Sequence, residues 1–524
     1  METLNPDRPI ASPDECARPS RIAIVRRRAS RAAGAAALAT AAALSACVNY
    51  AGIHGDATAA DPQRYATRDS LPAERGRWPD ANWADQFGDD QLKALLDEAL
   101  KDSPTLEQAR ARVAAASAYR ESANAGTMPR VDARYALARE QFSGTALVPP
   151  PYGGSWQTEN SGVVSASYEL DLWGKKREAL RAAVSRVHAS RADAEAVRLA
   201  LTTSIARTYN RLARLYVLHD IAQQEIARRE QIDRITAGRI ATGLDTQVER
   251  KTALANLATS RAALKSLDGQ MIATRYQLAA LLGAGPDRGL RIARPALGTG
   301  DDVRLPDHLP ADLVSRRPDI VAARWSVDAL AHDVKQAKAE FYPDIDLSAA
   351  IGLDAFGFGR FLTAASRTAS IGPAIHLPIF DAGGLRAQLK GRYAEFDHAV
   401  AAYNATLVTA LADVATQLAD VRSTDAQLVD ALAAQQAARE AATLALVQYR
   451  AGLTNQLTVL NADVNALAAD QAVANLRMNR RDRQIALASA LGGGFVDTAA
   501  ADTAAVVAAA NRAARTPDAH ADAR

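Results

Sequence analysis

Residues 175–237 contain no glycine and no proline, and residues 385–451 contain only one such residue, Gly391. Apolar side chains recur through the first stretch at helical spacing, as at Leu201, Ile205, Tyr209, Leu212 and Tyr216. A helix over roughly 173–240 would be about 100 Å long at the α-helical rise per residue. No single globular core is that deep, so helices of this length imply side-by-side, coiled-coil packing.

The two stretches belong to two copies of one unit. Pro104 and Pro129 stand 25 residues apart, and so do Pro318 and Pro343. Gly243 and Gly452 are separated by 209 residues, as are Gly283 and Gly492. A shared register over that distance marks an internal duplication, and two copies are too few for a solenoid. The first repeat is assigned to 91–283, with helices over 105–128, 173–240 and 245–282. The second is assigned to 318–492, with helices over 319–342, 384–450 and 454–491. Residues 284–317 link them. The two shorter helices of the first repeat cover about 36 Å and 57 Å, so stacked end to end they come close to the long one. Each repeat therefore makes a tall antiparallel wall.

Between short and long helices the period changes to two. Val131, Ala133, Tyr135 and Leu137 alternate with Asp132, Arg134, Ala136 and Ala138. Val164, Ala166, Tyr168, Leu170 and Leu172 alternate with Ser165, Ser167, Glu169 and Asp171. The second repeat repeats the pattern from Ile345 and from Ile371. Hairpin strands are expected at 130–142 and 158–172, and at 343–355 and 367–380. Their length and two-faced character suit tilted transmembrane strands. Four strands cannot close a membrane barrel, since the smallest have eight, and an eight-stranded barrel is filled by its own side chains. Three or more copies are needed. The fold class is mainly α with transmembrane β.

Composition removes other classes. The formal net charge is +3, which gives no electrostatic case for nucleic acid. The only cysteines, Cys16 and Cys47, lie at the start of the chain, so neither a disulfide framework nor a thiolate metal site spans the body. The eight histidines form no His-x-x-x-His pair, and no phosphate loop, Gly-x-Ser-x-Gly or dinucleotide fingerprint occurs. No enzymatic site, metal or cofactor is expected. Past the leader no apolar run approaches the length of a membrane-spanning helix, which leaves a closed barrel as the way across.

Arg26, Arg27, Arg28 and Arg31 precede a small and apolar run over 32–46, the form of a secretory signal over 1–46. The run ends in Leu44-Ser45-Ala46-Cys47, which resembles a bacterial lipobox. That resemblance implies a covalent lipid (palmitate) on Cys47, and the absence of aspartate from the following positions favours the outer membrane. Residues 493–524 are expected as a disordered tail.

The double order of helix, hairpin, long helix and helix resembles the TolC-like outer-membrane efflux factors, and most of all their lipidated NodT-type members. The residues that carry it are Tyr168-Glu169-Leu170-Asp171-Leu172-Trp173-Gly174, Arg316-Arg317-Pro318-Asp319-Ile320, Phe341-Tyr342-Pro343 and Leu377-Pro378-Ile379-Phe380-Asp381. Tyr449-Arg450-Ala451-Gly452-Leu453 and Leu457-Thr458-Val459-Leu460 complete the set. The resemblance implies a homotrimer with a 12-stranded barrel in the outer membrane and a 12-helix periplasmic tunnel, with residues 47–90 as an N-terminal extension along the tunnel's equatorial region. It also implies a periplasmic adaptor (a membrane fusion protein) and an inner-membrane efflux pump as partners, with small molecules, drugs or toxic compounds among them, as cargo. By the same resemblance Gly243, Leu244, Gly452 and Leu453 are tips that meet the adaptor, although the glycines serve equally as helix stops. Thr458 and Asn461 fall where the family places acidic residues around the closed aperture; both are neutral here. Glu249 is their carboxylate counterpart in the first repeat. Tyr449 matches a tyrosine that restrains the closed state, and Thr454 stands where some members have arginine.

Two other classes compete. An adaptor, itself a helical-hairpin lipoprotein, would show one hairpin flanked by small β domains. An enzyme on a helical scaffold would need a clustered site. The duplicated hairpins and the four amphipathic strands speak against both.

Overall fold

In the computed structural model the described residues are 50–145, 149–298, 300, 305–306 and 309–497. Cys47 and the leader lie outside them, as do residues 498–524.

The first repeat comprises α1 (Asp90–Asp102), α2 (Pro104–Ala125), β1 (Arg130–Gln141), β2 (Trp156–Glu169), α3 (Lys175–Ala241) and α4 (Gln247–Leu281). A short helix, α5 (Pro286–Leu290), follows in the linker. Then come α6 (Leu309–Arg316), α7 (Pro318–Ala339), β3 (Asp344–Phe356), β4 (Arg367–His376), α8 (Gly384–Arg450) and α9 (Gln456–Ala490). Helix lengths match between the repeats: 22 residues for α2 and α7, 67 for α3 and α8, and 35 for α4 and α9. Pro104 and Pro318 each open a helix at a position where no amide donor is needed.

The change from strand to long helix is built the same way twice. Gly174 and Gly383 take left-handed backbone angles, φ 85° and 89°, at the N-caps of α3 and α8. An aspartate just upstream accepts the free helix amides: Asp171 from Lys176 and Arg177, Asp381 from Gly383 and Leu385. This geometry explains the Asp171-Leu172-Trp173-Gly174 and Asp381-Ala382-Gly383 sequences.

The strands form one antiparallel sheet in the order β1-β2-β3-β4. Its register sets Val131, Ala166, Ala349 and Ile371 in one row and Ala133, Val164, Ile351 and Ala369 in the next, all on one face. The other face carries Asp132, Ser165, Ala350 and Ser370. On the apolar face Val131, Tyr135, Ile351, Ile371 and Ile375 are exposed by 59% or more, an arrangement suited to lipid rather than water. β4 ends at His376, not at 380. Pro378 has no amide hydrogen for the ladder, and Ile379 and Phe380 project from the sheet's end. Among the described residues β1 and β4 are left as open edges.

Below the sheet, α3 packs on α2, α4 and α7, and α8 packs on α7 and α9. A contact between α3 and α9 joins the two long pairs. One 18-residue window of α8 reaches a mean hydropathy of 1.2, contrary to the expectation that no helix past the leader would be apolar enough to cross a membrane. Part of its apolar side packs, since Leu407, Ala410, Leu411, Val414 and Leu418 are buried in the core formed with α7, but only 39% of that window is buried.

Two expectations about the chain ends need correction. The N-terminal extension is not confined to the equatorial region. Tyr50 packs edge-on against Phe341, just before β3. The segment then descends α8: Asp397 accepts from the amides of Asp56 and Ala57, Asn404 bonds Ala60 and Thr58, and Arg422 pairs with Glu74. Amides without a helix or strand of their own find acceptors along α8 instead. At the other end, residues 493–497 are packed and not part of a disordered tail. A side chain at Gly494 would run into the backbone of Asp80 and Ala81, Phe495 joins Val321 and Trp325, and Asp497 pairs with Arg324 at 2.5 Å.

Candidate gate at the helical tips

Both repeats reverse direction at a glycine with positive φ, 74° at Gly243 and 75° at Gly452. Leu244 donates back to the Arg239 carbonyl and Leu453 to the Gln448 carbonyl, each at 2.9 Å, closing the helix ends. Leu244 and Leu453 are 63% and 78% exposed, with Val248 and Leu457 beside them also in the open. The tips thus present apolar side chains on rigid turns.

Just above the tips the two repeats meet. Tyr449, near the end of α8, is fully buried with Ile232, Val459 and Leu460. Its hydroxyl donates to Asp245 Oδ2 at 2.5 Å and lies 3.2 Å from Thr236 Oγ1. Arg239 donates to both oxygens of Asp245, at 2.9 and 3.2 Å, and to the Tyr449 carbonyl at 3.1 Å. Its guanidinium also stacks 4.5 Å over the Tyr449 ring. Gln456, in the first turn of α9, donates to Thr236 Oγ1 at 2.9 Å. One cluster therefore ties the end of α3 and the first tip to the end of α8 and the start of α9. Burial pushes the Asp245 carboxyl upward, but the hydrogen bonds from Arg239 and Tyr449 outweigh it and hold the group below the usual carboxylate range. Burial, then the Asp245 hydrogen bond, pushes the Tyr449 phenol up.

The residues named from the sequence separate at this point. Tyr449 is at the centre of the cluster. Thr454 is half-buried beside the second tip. Glu249 is spent locally: its carboxylate accepts from the Thr246 amide and hydroxyl in a reciprocal helix cap on an exposed turn. Thr458 does a similar job, donating its amide to the Asn455 side chain. Asn461 is exposed one turn further along α9.

Asp245, Arg239, Thr236 and Gln456 were not singled out from the sequence. A signal was available in the duplication. At an offset of 209, Asp245 stands opposite Thr454, Arg239 opposite Gln448 and Tyr449 opposite Ile240. The positions where the two repeats differ in chemistry are the ones the fold brings together. Among the described residues no group of three histidine, cysteine, aspartate or glutamate side chains is placed to hold a metal ion.

This architecture is that of the TolC-like outer-membrane channels. The outer membrane protein VceC of Vibrio cholerae superposes with a TM-score of 0.75 at 35% identity, covering 80% of this chain and 100% of that one. The profile of the outer membrane efflux protein family matches residues 95–284 and 309–493, and the chain belongs to that family. The multidrug resistance outer membrane protein MdtP of Shigella flexneri is 33% identical over 454 residues, 83% of this chain and 90% of that protein. The fusaric acid resistance protein FusA of Burkholderia cepacia is 38% identical over 317 residues, 60% of this chain and 59% of that protein. The chain is an efflux channel protein of the outer membrane.

Proposed function

We propose that three copies of the chain assemble into one conduit, with a 12-stranded barrel above and a 12-helix tunnel below. The open β1 and β4 edges carry this reading. An unpaired edge inside a bilayer is excluded, because lipid offers no hydrogen bonds, so β1 of each copy must pair with β4 of the next. Three copies give the smallest barrel with room for a lumen.

The conduit is passive and has no catalytic step of its own. An inner-membrane pump supplies the energy, and a periplasmic adaptor meets the exposed Leu244 and Leu453 on their glycine turns. The cargo is small molecules, drugs or toxic compounds among them. The Asp245–Tyr449–Arg239 cluster holds the tips closed. The helices that follow each tip, α4 and α9, swing outward when the adaptor binds the open state more tightly than the closed one. A lipid on Cys47 fits the position of Tyr50, three residues later, which packs at the end of the helical shaft nearest the sheet.

Cysteines paired across the two edges, one on β1 and one on β4, test the assembly. Oxidation of the detergent-extracted protein is expected to give covalent trimers, and purified protein in a planar bilayer to give low-conductance pores. Covalent dimers as the end product would overturn the stoichiometry. Folded oligomer that forms no pores would overturn the conduit.

A further inference from the structure

Midway down α3 one stripe of the helix is left uncovered. Arg207, Arg211 and Arg214 lie on it, within about 60° of arc and about 10 Å of helix axis. All three are exposed. The other sides of α3 are occupied at this level. Ile205, Tyr209 and Leu212 share a buried core with Leu92 and Leu95 of α1, and the Tyr209 hydroxyl donates to Asp89 at 2.9 Å. Asn210 donates to the Met478 carbonyl of α9 at 2.9 Å, and Arg275 of α4 donates to the Tyr216 hydroxyl at 2.5 Å. α3 thus stands between α4 and α9, with α1 behind it.

Both flanks of α3 are covered within one chain. Neighbouring copies joined at β1 and β4 continue the wall beside the helices attached to those strands, α2 and α8, and leave α3 untouched. A conduit has no room for α1 in its lumen, so that side of α3 is the outside and the arginine stripe lines the tunnel.

The stripe carries surplus positive charge. Arg207 bonds both oxygens of Asp482 on α9, each at 2.9 Å, and is neutralised there. Arg211 and Arg214 have no acidic partner among the described residues. Acids of the flanking helices are taken: Asp420 of α8 pairs with Arg483 at 3.0 Å, Asp425 with Arg480 at 2.5 Å, and Asp268 of α4 with His219 at 3.2 Å. On α9 the turns before Asp482 offer the amides Asn479 and Asn475 instead of carboxylates. At the offset of 209 the three arginine positions become Thr416, Asp420 and Ser423 in α8. The charge belongs to one repeat only, so the helix packing common to both does not require it.

We propose that Arg211 and Arg214 form an anion-attracting band inside the tunnel, and that the cargo it favours is small organic acids in their carboxylate form. This rests on the reading of the chain as a trimeric conduit. A guanidinium is planar and cationic and offers paired donors to a carboxylate. Repeated around an aqueous channel, such groups concentrate anions and repel cations. Exposure to water keeps each contact weak, so an anion leaves as readily as it enters.

Planar-bilayer recording on the detergent-extracted oligomer tests this, with the double variants Arg211→Gln/Arg214→Gln and Arg211→Lys/Arg214→Lys. In a potassium chloride gradient the glutamine pair is expected to lower the anion-to-cation permeability ratio by about twofold or more, and the lysine pair to keep it. With potassium benzoate in place of the chloride the variants should separate in the same order. Arg211→Cys, treated with a negatively charged thiosulfonate reagent, is expected to change its single-channel conductance because the added group sits in the lumen. A wild-type ratio in the glutamine pair overturns the band and leaves the conduit standing. Equal loss in the glutamine and lysine pairs means damage to the tunnel and not lost charge, and also overturns the band. Conductance of Arg211→Cys that the reagent leaves unchanged places the stripe outside the lumen, with the same result. Wild-type oligomer that forms no pores overturns the conduit itself, and the band with it.

Discussion

The hydroxyl of Tyr449 donates to the carboxylate of Asp245 across 204 residues of sequence, joining the end of one repeat to the tip of the other. The bond is buried and one partner is charged. Such hydrogen bonds contribute about 1.5–3 kcal/mol. Tyr449→Phe keeps the ring and its stacking under Arg239 but removes this bond. The closed state is expected to weaken by about tenfold or more per protomer, read as a higher open probability in single-channel records. Unchanged gating would place the closing contacts elsewhere.

Acid should act on the same bond. Asp245 titrates below the usual carboxylate range in the closed state and returns to it when exposed. Its contribution to closure is thus present above the ordinary carboxylate value and is lost as pH falls through the depressed one. Closure through this bond is expected to fail only under strong acid. Asp245→Asn should weaken closure throughout and abolish that acid opening.

Selectivity at the aperture is expected to follow charge on the exposed turn of α9. Asn461→Asp adds a ring of carboxylates in the proposed trimer and should raise the cation-to-anion permeability ratio, measured as a reversal-potential shift in a salt gradient. Thr458→Asp should do the same. Glu249→Gln removes a carboxylate already engaged by Thr246 and should leave the reversal potential unmoved while loosening the first turn of α4. A large selectivity change from Glu249→Gln would return that residue to the aperture.

The tips separate two roles. Gly243→Ala and Gly452→Ala each force a side chain into a left-handed backbone, at a cost of about 1–2 kcal/mol, and should lower the thermal stability of the oligomer slightly. Leu244→Asp and Leu453→Asp alter only exposed surface and should leave stability and conductance unchanged. They should nevertheless abolish cross-linking to a cognate adaptor and the drug tolerance that depends on it. Retained cross-linking in the double variant would remove the tips from the contact.

The packed C-terminal residues make a stability prediction. Arg324 is 4% exposed and pairs with Asp497 at 2.5 Å. Asp497→Ala leaves that guanidinium buried without its closest carboxylate, a change that costs about 3–5 kcal/mol in comparable sites. A marked fall in melting temperature is expected, measured by circular dichroism. A fall no larger than that of an exposed control such as Asp56→Ala would mean that the pair is dispensable.

Local chemistry made much of this protein legible from its residues alone. Helix and strand are set by spacing along the chain, so the run over 175–237 and the alternation from Val131 announce themselves without a partner. Gly174 and Gly383 mark strand-to-helix junctions and Gly243 and Gly452 mark reversals, because few other residues accept their backbone angles, and the register of the duplication aligns the two sets. The tertiary structure alone decided which turn of α3 faces which turn of α9. That depends on packing summed over the whole helical pair, and no local pattern encodes it. So Glu249, which looked like part of an acidic ring, closes a helix cap three residues from its partner. Asp245, which looked like an ordinary turn residue, meets Tyr449 and Arg239. Glu225 and Asp463 read as two among many solvated acids, but the fold buries both.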